Sequence, residues 1–177
     1  MSCDTHDHGC SGGMLPAAWK YLTSTGIVTD TCMPYTAGGG KAPRCPTTCA
    51  DSEGFARTMA KSSYAIQGAG NMQKDLMTNG PIQVGFMVYK SFMSYHSGIY
   101  HKHRSEKQPE GGHAVKLVGW GAENGKKYWL IANSWNTTWG EEGFFRIVSG
   151  KDECGIETMG PPYAGLPAVG HEDLIVV

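Results

Sequence analysis

The chain has 177 residues, of which 40% are hydrophobic, and its 15 lysines and arginines balance 16 aspartates and glutamates. That length can bury a sizeable core in one domain or two small lobes. Because the charges are balanced and scattered, the sequence excludes a basic face for nucleic acid or an anionic membrane surface. It also has neither a run of roughly eighteen apolar residues that could span a membrane nor a charged and then apolar signal peptide.

The first predicted element in chain order is a helix over residues 14–25. Met14, Ala18 and Leu22 recur on one stripe, a Ser-Gly-Gly sequence precedes them, and Gly26 follows the segment. We therefore expect one amphipathic helix near the start of the chain.

Five of the six cysteines lie in the first fifty residues, and the sixth is Cys154. Residues 29–54 are dense in cysteine, proline and glycine, which predicts a loop tied by disulfides in an oxidising compartment. The alternative is a zinc-stabilised structural fragment, although the cysteine spacing matches no familiar zinc motif. The candidate zinc ligands are Cys3, His6, His8 and Cys10.

The second half of the chain predicts a short helix followed by strands. Asn71 is a candidate N-cap for a helix over residues 72–78, which the Asn-Gly-Pro sequence after it would end. The apolar residues in 84–88 alternate, as expected for a strand with one buried face.

A hairpin and a further strand are predicted next. Residues 114–120 and 128–132 flank an Asn-Gly turn, and residues 144–148 are predicted to form another strand. The sequence therefore predicts a helical, disulfide-rich portion followed by an antiparallel sheet. This is an α+β organisation with its boundary near residues 55–70.

Two residues with catalytic potential lie at predicted strand ends. His113 follows two glycines, which leave it accessible, and hairpin pairing could bring Asn133 to its ring. A histidine at a strand end is nevertheless more often structural, and Asn-Ser-Trp also occurs in ordinary turns. The residues alone leave both interpretations open.

Four stretches resemble the papain family of cysteine proteases, and specifically its cathepsin B branch. In chain order they are SCDTHDHGCSGG, GGHAVKLVGWG, YWLIANSWNTTWGEEGFFRI and DECGIE, and the resemblance spans residues 2 to about 167. It implies a papain-like two-lobe α+β fold. Residues 1–60 would be part of the helical, disulfide-rich lobe, residues 61–167 the antiparallel β-rich lobe, and residues 168–177 a tail.

The resemblance also implies a peptidase mechanism, in which a cysteine thiolate attacks the peptide carbonyl and a histidine protonates the leaving amine. His113 would be that acid and base, Asn133 would orient its ring, and Trp135 would shield their contact from water. The backbone of Gly12 and Gly13 would offer hydrogen bonds to an extended substrate. No cofactor and no metal are implied. The full set of implied substrate-binding residues is Gly12, Gly13, Met14, Gly112, Ala114, Trp135 and Met159.

The sequence departs from the family at the nucleophile. The motif Cys-Gly-Ser/Ala-Cys-Trp/Tyr does not occur, and neither does the oxyanion-hole glutamine that precedes it in the family. We expect neither Cys10 nor Cys154 to replace it, since the family pairs the first in a disulfide and the second resembles a buried thiol. The resemblance thus implies a truncated endopeptidase that is inactive by itself. The alternative is a catalytically inactive papain-like module that binds peptides or inhibitors.

The same comparison implies the disulfides Cys3–Cys45 and Cys32–Cys49. Cathepsin B itself carries a long loop with two histidines that blocks the primed side of its cleft. Here the equivalent residues 33–44 are few and contain no histidine. An endopeptidase with an open cleft is therefore expected.

Substrate and partner expectations follow from the resemblance as well. Cathepsin B has an acidic residue that lets its second pocket accept arginine, whereas this chain has Met159 there. With Met14 near it, that pocket should favour apolar side chains, since no carboxylate would pair a buried guanidinium. The implied partners are polypeptide substrates and cystatin-like or propeptide inhibitors, but not nucleic acid or membranes. The implied location is a lysosomal or endosomal vacuole or the extracellular space.

Overall fold

The structure is a computed structural model that describes residues 2–51 and 54–168. These residues form two compact units, one made of residues 2–51, 54–63 and 165–168 and the other of residues 64–164. Apart from Ala168, the tail predicted over 168–177 lies outside the described residues. Within the described part, no helix is long and apolar enough to cross a bilayer.

The secondary structure is mixed, which confirms the predicted α+β class. The helices are α1 (Leu15–Ser24), α2 (Ala69–Asn79) and α3 (Lys90–Met93). The strands are β1 (Ala60–Ala65), β2 (Ile82–Val88), β3 (Ile99–Tyr100), β4 (Gly111–Glu123), β5 (Lys126–Ala132), β6 (Phe144–Val148) and β7 (Tyr163–Pro167). Their order in the sheet is β1-β7-β2-β4-β5-β6-β3.

Helix α1 confirms the helix predicted over residues 14–25. Pro16 lies in its first turn, where a proline fits because its φ is already helical and no N–H is required. At the other end the amides of Thr25 and Gly26 both bond to the carbonyl of Tyr21, at 2.8 and 3.0 Å, which ends the helix.

The cysteine-rich segment is a loop, as predicted. Two disulfides, Cys3–Cys45 and Cys32–Cys49, join the pairs that the resemblance implied. Because the sulfur of Cys3 is bonded to Cys45, it is not available as a thiolate ligand, so the zinc interpretation is wrong for this residue. Within residues 2–51 and 54–168, no group of three or more histidine, cysteine, aspartate or glutamate side chains is placed to hold a metal ion.

Helix α2 begins earlier than predicted. Its N-cap is Gly68, and the amide of Asn71 already bonds to the Gly68 carbonyl at 3.1 Å. Asn71 is therefore inside the first turn, where its Nδ2 donates to the carbonyl of Gln67 at 2.7 Å, and the predicted N-cap is wrong. The helix ends at Asn79, one residue beyond the predicted end at residue 78, and Gly80 and Pro81 follow it.

The predicted strands β2, β4, β5 and β6 are confirmed and position the candidate site, whereas β3 is an additional strand that pairs parallel with β6 in the otherwise antiparallel part of the sheet. β4 pairs antiparallel with both β2 and β5, and β5 pairs with β6. Because it has a partner on each side, β4 extends beyond the predicted residues 114–120. The register places His113 opposite Phe86 of β2.

The core of the second unit lies on the inward faces of these strands. In β2 the alternating residues Val84, Phe86 and Val88 are buried, as predicted, and Ile82 at the start of the strand is buried as well. Phe92 of α3 is fully buried at the centre of an aromatic cluster. Its ring contacts the rings of Phe86, Tyr95, Tyr100, Trp135, Trp139 and Phe145 at centroid distances of 4.8–6.2 Å.

Candidate active site

His113 is the third residue of β4, and its ring is half-buried. The inner side of the ring lies 5.9 Å from the ring of Phe86, centroid to centroid. Gly111 and Gly112 before it are exposed and carry no side chains that could cover it. The imidazole is thus anchored on the core and remains accessible from outside.

Asn133 directly follows β5, and its backbone amide bonds to the carbonyl of Gly143 at 2.9 Å. Its Oδ1 lies 2.8 Å from Nε2 of His113 and 2.8 Å from the backbone N of Ser134. A backbone N–H can only donate, so this atom is the amide oxygen, and Nε2 of His113 must also be a donor. In the neutral ring the lone pair is then on Nδ1, which has no hydrogen-bond partner among the described residues.

The other side-chain atom of Asn133 is unusual. Its Nδ2 is buried and has no hydrogen-bond partner within the described part of the chain. Leaving such a donor unpaired costs about 1–3 kcal/mol. The unpaired Nδ2 of Asn133 is therefore unfavourable, but the same orientation of the side chain places its Oδ1 on the histidine.

Trp135 covers one face of the imidazole. The two rings are stacked, with centroids 5.1 Å apart and planes 24° apart. Trp135 is itself held edge-on against Phe92 at 5.5 Å and Trp139 at 5.1 Å. These two edge-on contacts hold the indole of Trp135 in place over the imidazole.

Met159 lies over Gly112, on the other side of the His113 strand. A Cβ at Gly112 would be 3.1 Å from the Met159 Cε, so this glycine leaves room for the methionine. The nearby Glu157 is turned away, because its Oε1 accepts the indole N–H of Trp129 at 2.8 Å and its Oε2 accepts the amide of Asp152 at 3.1 Å. The predicted pocket residues Gly112 and Met159 are thus neighbours, and Ala114 is exposed two residues further along β4.

The thiol of Cys154 is not suited to attack a substrate. It is partly buried, and its Sγ lies 3.6 Å from Oε1 of Glu153. Burial, with the neighbouring negative charge of Glu153, raises the pKa of Cys154 to about 12. Such a group is a neutral thiol near pH 7 and a poor nucleophile.

Gly12, Gly13 and Met14 belong to the first unit and are exposed between a 3₁₀ turn, Gly9–Ser11, and α1. The sequence reasoning missed Asp7, whose Oδ1 accepts the backbone N–H of Met14 at 2.9 Å. No local sequence signal indicates Asp7, because it lies seven residues before Met14, outside the range of a helix-capping pattern.

Comparison with known proteins gives a consistent result. A family model described as papain family cysteine protease matches residues 1–161. Cathepsin B-like CP2 of Giardia intestinalis is 44% identical over 169 residues, which cover 93% of this chain and 55% of that protein. A gut-specific cysteine proteinase of Caenorhabditis elegans is 41% identical over 172 residues, covering 85% of this chain and 51% of that protein.

Solved structures agree with these matches. ProCathepsin B S9 from Trypanosoma congolense superimposes with a TM-score of 0.85 at 35% identity, covering 95% of this chain and 58% of that one. The chain thus spans about half the length of the curated relatives it matches.

Proposed function

Because the chain belongs to the papain family of cysteine proteases and is cathepsin B-like, we propose that it supplies the histidine and asparagine of an endopeptidase site. The observation that carries the proposal is the 2.8 Å contact between Nε2 of His113 and Oδ1 of Asn133, beside the stacked ring of Trp135. This contact gives the imidazole a defined tautomer and orientation, which a general base requires.

In the proposed reaction, Nδ1 of His113 takes the proton of a cysteine thiol. The thiolate adds to the peptide carbonyl, and the imidazolium then gives the proton to the leaving amine as the C–N bond breaks. Water hydrolyses the resulting thioester, which releases the new carboxyl group and restores the thiol. Asn133 keeps the ring in place throughout, and Trp135 covers one face of the ring.

The nucleophile is the part of this mechanism that the 177 residues do not supply. They contain no Cys-Gly-Ser/Ala-Cys-Trp/Tyr sequence, and Cys154 is a neutral thiol. We propose that the nucleophile belongs to a part of the protein beyond these residues, consistent with relatives of about twice the length. The alternative is an inactive papain-like module that binds peptides or inhibitors.

The proposed substrate class is a polypeptide cleaved internally, with an apolar side chain in the second pocket. Residues 33–44 lie within a disulfide-tied loop and contain no histidine that could capture a C-terminal carboxylate. Met159 beside Gly112 offers an apolar surface, and the carboxylate of Glu157 is already engaged by Trp129. An arginine there would lose its hydration without gaining a charged partner.

We propose that the first unit corresponds to part of the helical lobe, and the second unit to the β-rich lobe. Cystatin-like proteins and a propeptide are the proposed inhibitors. Two disulfides support a lysosomal, endosomal or extracellular location, because such bonds persist in oxidising compartments.

The test begins with the sequence of the native transcript upstream of these residues and the intact mass of the natural protein. The protein so defined is then assayed with fluorogenic peptides, alongside His113→Ala and the control His96→Ala, which changes an exposed histidine of the same unit. We expect His113→Ala to abolish turnover and His96→Ala to leave it unchanged. Full turnover in His113→Ala refutes the peptidase site, and a protein that lacks an upstream nucleophile motif but binds peptides supports the inactive module.

A further inference from the structure

The residues before α1 present one unpaired stretch of backbone. Gly12 is bonded within its turn, since its N donates to the carbonyl of Gly9 at 3.4 Å and its O accepts from the amide of His8 at 2.9 Å. Gly13 is exposed, and neither its N–H nor its C=O is hydrogen-bonded within the described residues. A residue with both backbone groups open can pair with one residue of an extended peptide.

The carboxylate of Asp7 lies against Gly13 on the side where a side chain would project. Its Oδ1 accepts the N–H of Met14, the next residue, at 2.9 Å. A Cβ at Gly13 would lie 2.5 Å from Cγ of Asp7 and 2.6 and 2.8 Å from its two carboxylate oxygens. The carboxylate therefore occupies the place of a side chain at Gly13 and turns the following N–H away from solvent.

The two glycines are needed for different physical reasons. Gly12 has φ of 103°, a conformation that favours glycine, and nothing lies within 4 Å of its added Cβ. Gly13 has no positive φ, so its backbone would accept other residues. What excludes a side chain at Gly13 is the carboxylate of Asp7.

We propose that Asp7 is a positioning residue for peptide binding. By binding the Met14 N–H and filling the space behind Gly13, it holds the N–H and C=O of Gly13 in line for two hydrogen bonds to the backbone of an extended peptide. The inference rests on the proposed function, because it assigns a peptide to this segment.

A purely structural role for Asp7 makes a different prediction. Met14 is the N-cap of α1, and a carboxylate near the start of a helix stabilises it. Loss of that effect would lower the free energy of unfolding and leave the peptide affinity of the folded protein unchanged. The test must therefore measure affinity.

The probe is acetyl-Ala-Leu-Ala-amide, titrated into the ¹⁵N-labelled 177-residue chain while the amide signals of Gly13 and Met14 are followed. Asp7→Ala should raise the Kd about 5- to 10-fold, the effect of one lost hydrogen bond. Asp7→Asn keeps an oxygen for the Met14 N–H and should restore the affinity to within about twofold. The control Asp30→Ala, which changes an exposed aspartate of the same unit, should bind like the wild type.

Equal affinity of Asp7→Ala and wild type would overturn the proposal, as would the absence of a Gly13 shift in the wild type. If Asp7→Ala does not fold, amide hydrogen exchange in the wild type tests the proposal instead. In the free protein the Met14 amide should exchange more slowly than the Gly13 amide, and added peptide should slow the exchange of the Gly13 amide. Equal exchange rates of the two amides in the free protein would overturn the proposal. Full turnover in His113→Ala would refute the peptidase site and leave this result untouched.

Discussion

Nε2 of His113 and Oδ1 of Asn133 lie 2.8 Å apart, near the start of β4 and just past the end of β5. The same oxygen also accepts the backbone N–H of Ser134, which fixes it as the oxygen and fixes Nε2 as the protonated ring nitrogen. A backbone group therefore determines which nitrogen of the imidazole would act as the base in the proposed peptidase. Replacing the asparagine should affect catalysis more than binding.

The first prediction concerns Asn133→Ala in the proposed full-length peptidase. Without the oxygen the imidazole can rotate and exchange tautomers, so kcat should fall about 100-fold while KM changes little. Steady-state hydrolysis of a fluorogenic peptide measures both constants. The control is Asn71→Ala, which changes an exposed asparagine of α2 whose Nδ2 donates to the carbonyl of Gln67 at 2.7 Å. Equal losses in the two variants would contradict the orienting role.

The second prediction concerns Met159→Glu. A carboxylate over Gly112 would give a bound arginine a charged partner, which the wild type lacks because Glu157 is engaged elsewhere. The ratio of kcat/KM for arginine over leucine at the second substrate position should rise about 10-fold or more. Met77→Glu, at a methionine that is 71% exposed in α2, is the matched control and should leave the ratio unchanged. An unchanged ratio in Met159→Glu would show that Met159 does not line the second pocket.

Regular elements could be predicted from the sequence because each has a periodic signal. The alternation in β2 predicts its buried face, and the Asn-Gly turn predicts the β4–β5 hairpin. Helix α1 has both a stripe and a stop signal. His113 and Asn133 could be placed near each other for the same reason, since hairpin register brings a strand start and a strand end together.

Features that depend on side-chain contacts could not be predicted in this way. The start of α2 lies at Ala69, in a stretch flanked by glycines that give a poor helix signal. The bond from Met14 to Asp7 joins residues seven positions apart and has no period. The inward turn of Glu157 depends on Trp129, which is 28 residues away. Each of these requires the tertiary structure.

The third prediction concerns the disulfides of the first unit. In the chain-entropy model, losing the Cys3–Cys45 bond, with a separation of 42 residues, should lower the free energy of unfolding by about 4 kcal/mol, and losing Cys32–Cys49, with a separation of 17, by about 3 kcal/mol. The paired variants are Cys3→Ala with Cys45→Ala, and Cys32→Ala with Cys49→Ala. Urea unfolding followed by the indole signal of Trp19 reports on this unit.

Cys154→Ala is the control for these variants, because it removes a sulfur from the second unit and should leave the Trp19 transition unchanged. Peptide mapping without reduction checks the pairing itself. A peptide that joins Cys10 to Cys3 would contradict the pairing on which the energies are based.

The last prediction concerns Glu141 and the dependence of stability on pH. Arg146 lies against this carboxylate, with Nη2 2.7 Å from Oε1 and Nε 2.9 Å from Oε2, while the amide of Gly98 donates to Oε1 at 2.8 Å. These donors hold the pKa of Glu141 below its usual value of 4.5 in the folded protein, with Arg146 the largest cause. The unfolded chain then binds more protons in the acid range. The stabilisation is therefore complete above about pH 4.5 and is lost as the pH falls through the lowered pKa.

Glu141→Gln should thus be less stable than the wild type at pH 7, by about 1–2 kcal/mol for a charged pair that is partly exposed. The two proteins should converge in stability as the pH falls through the lowered pKa of Glu141, because the wild-type carboxylate then becomes protonated as well. Urea unfolding at a series of pH values measures the difference. Glu142→Gln, at the exposed neighbouring position, should follow the wild-type curve at every pH. A constant difference between Glu141→Gln and wild type across the acid range would mean that the side chain stabilises by packing, because only a charge contribution titrates.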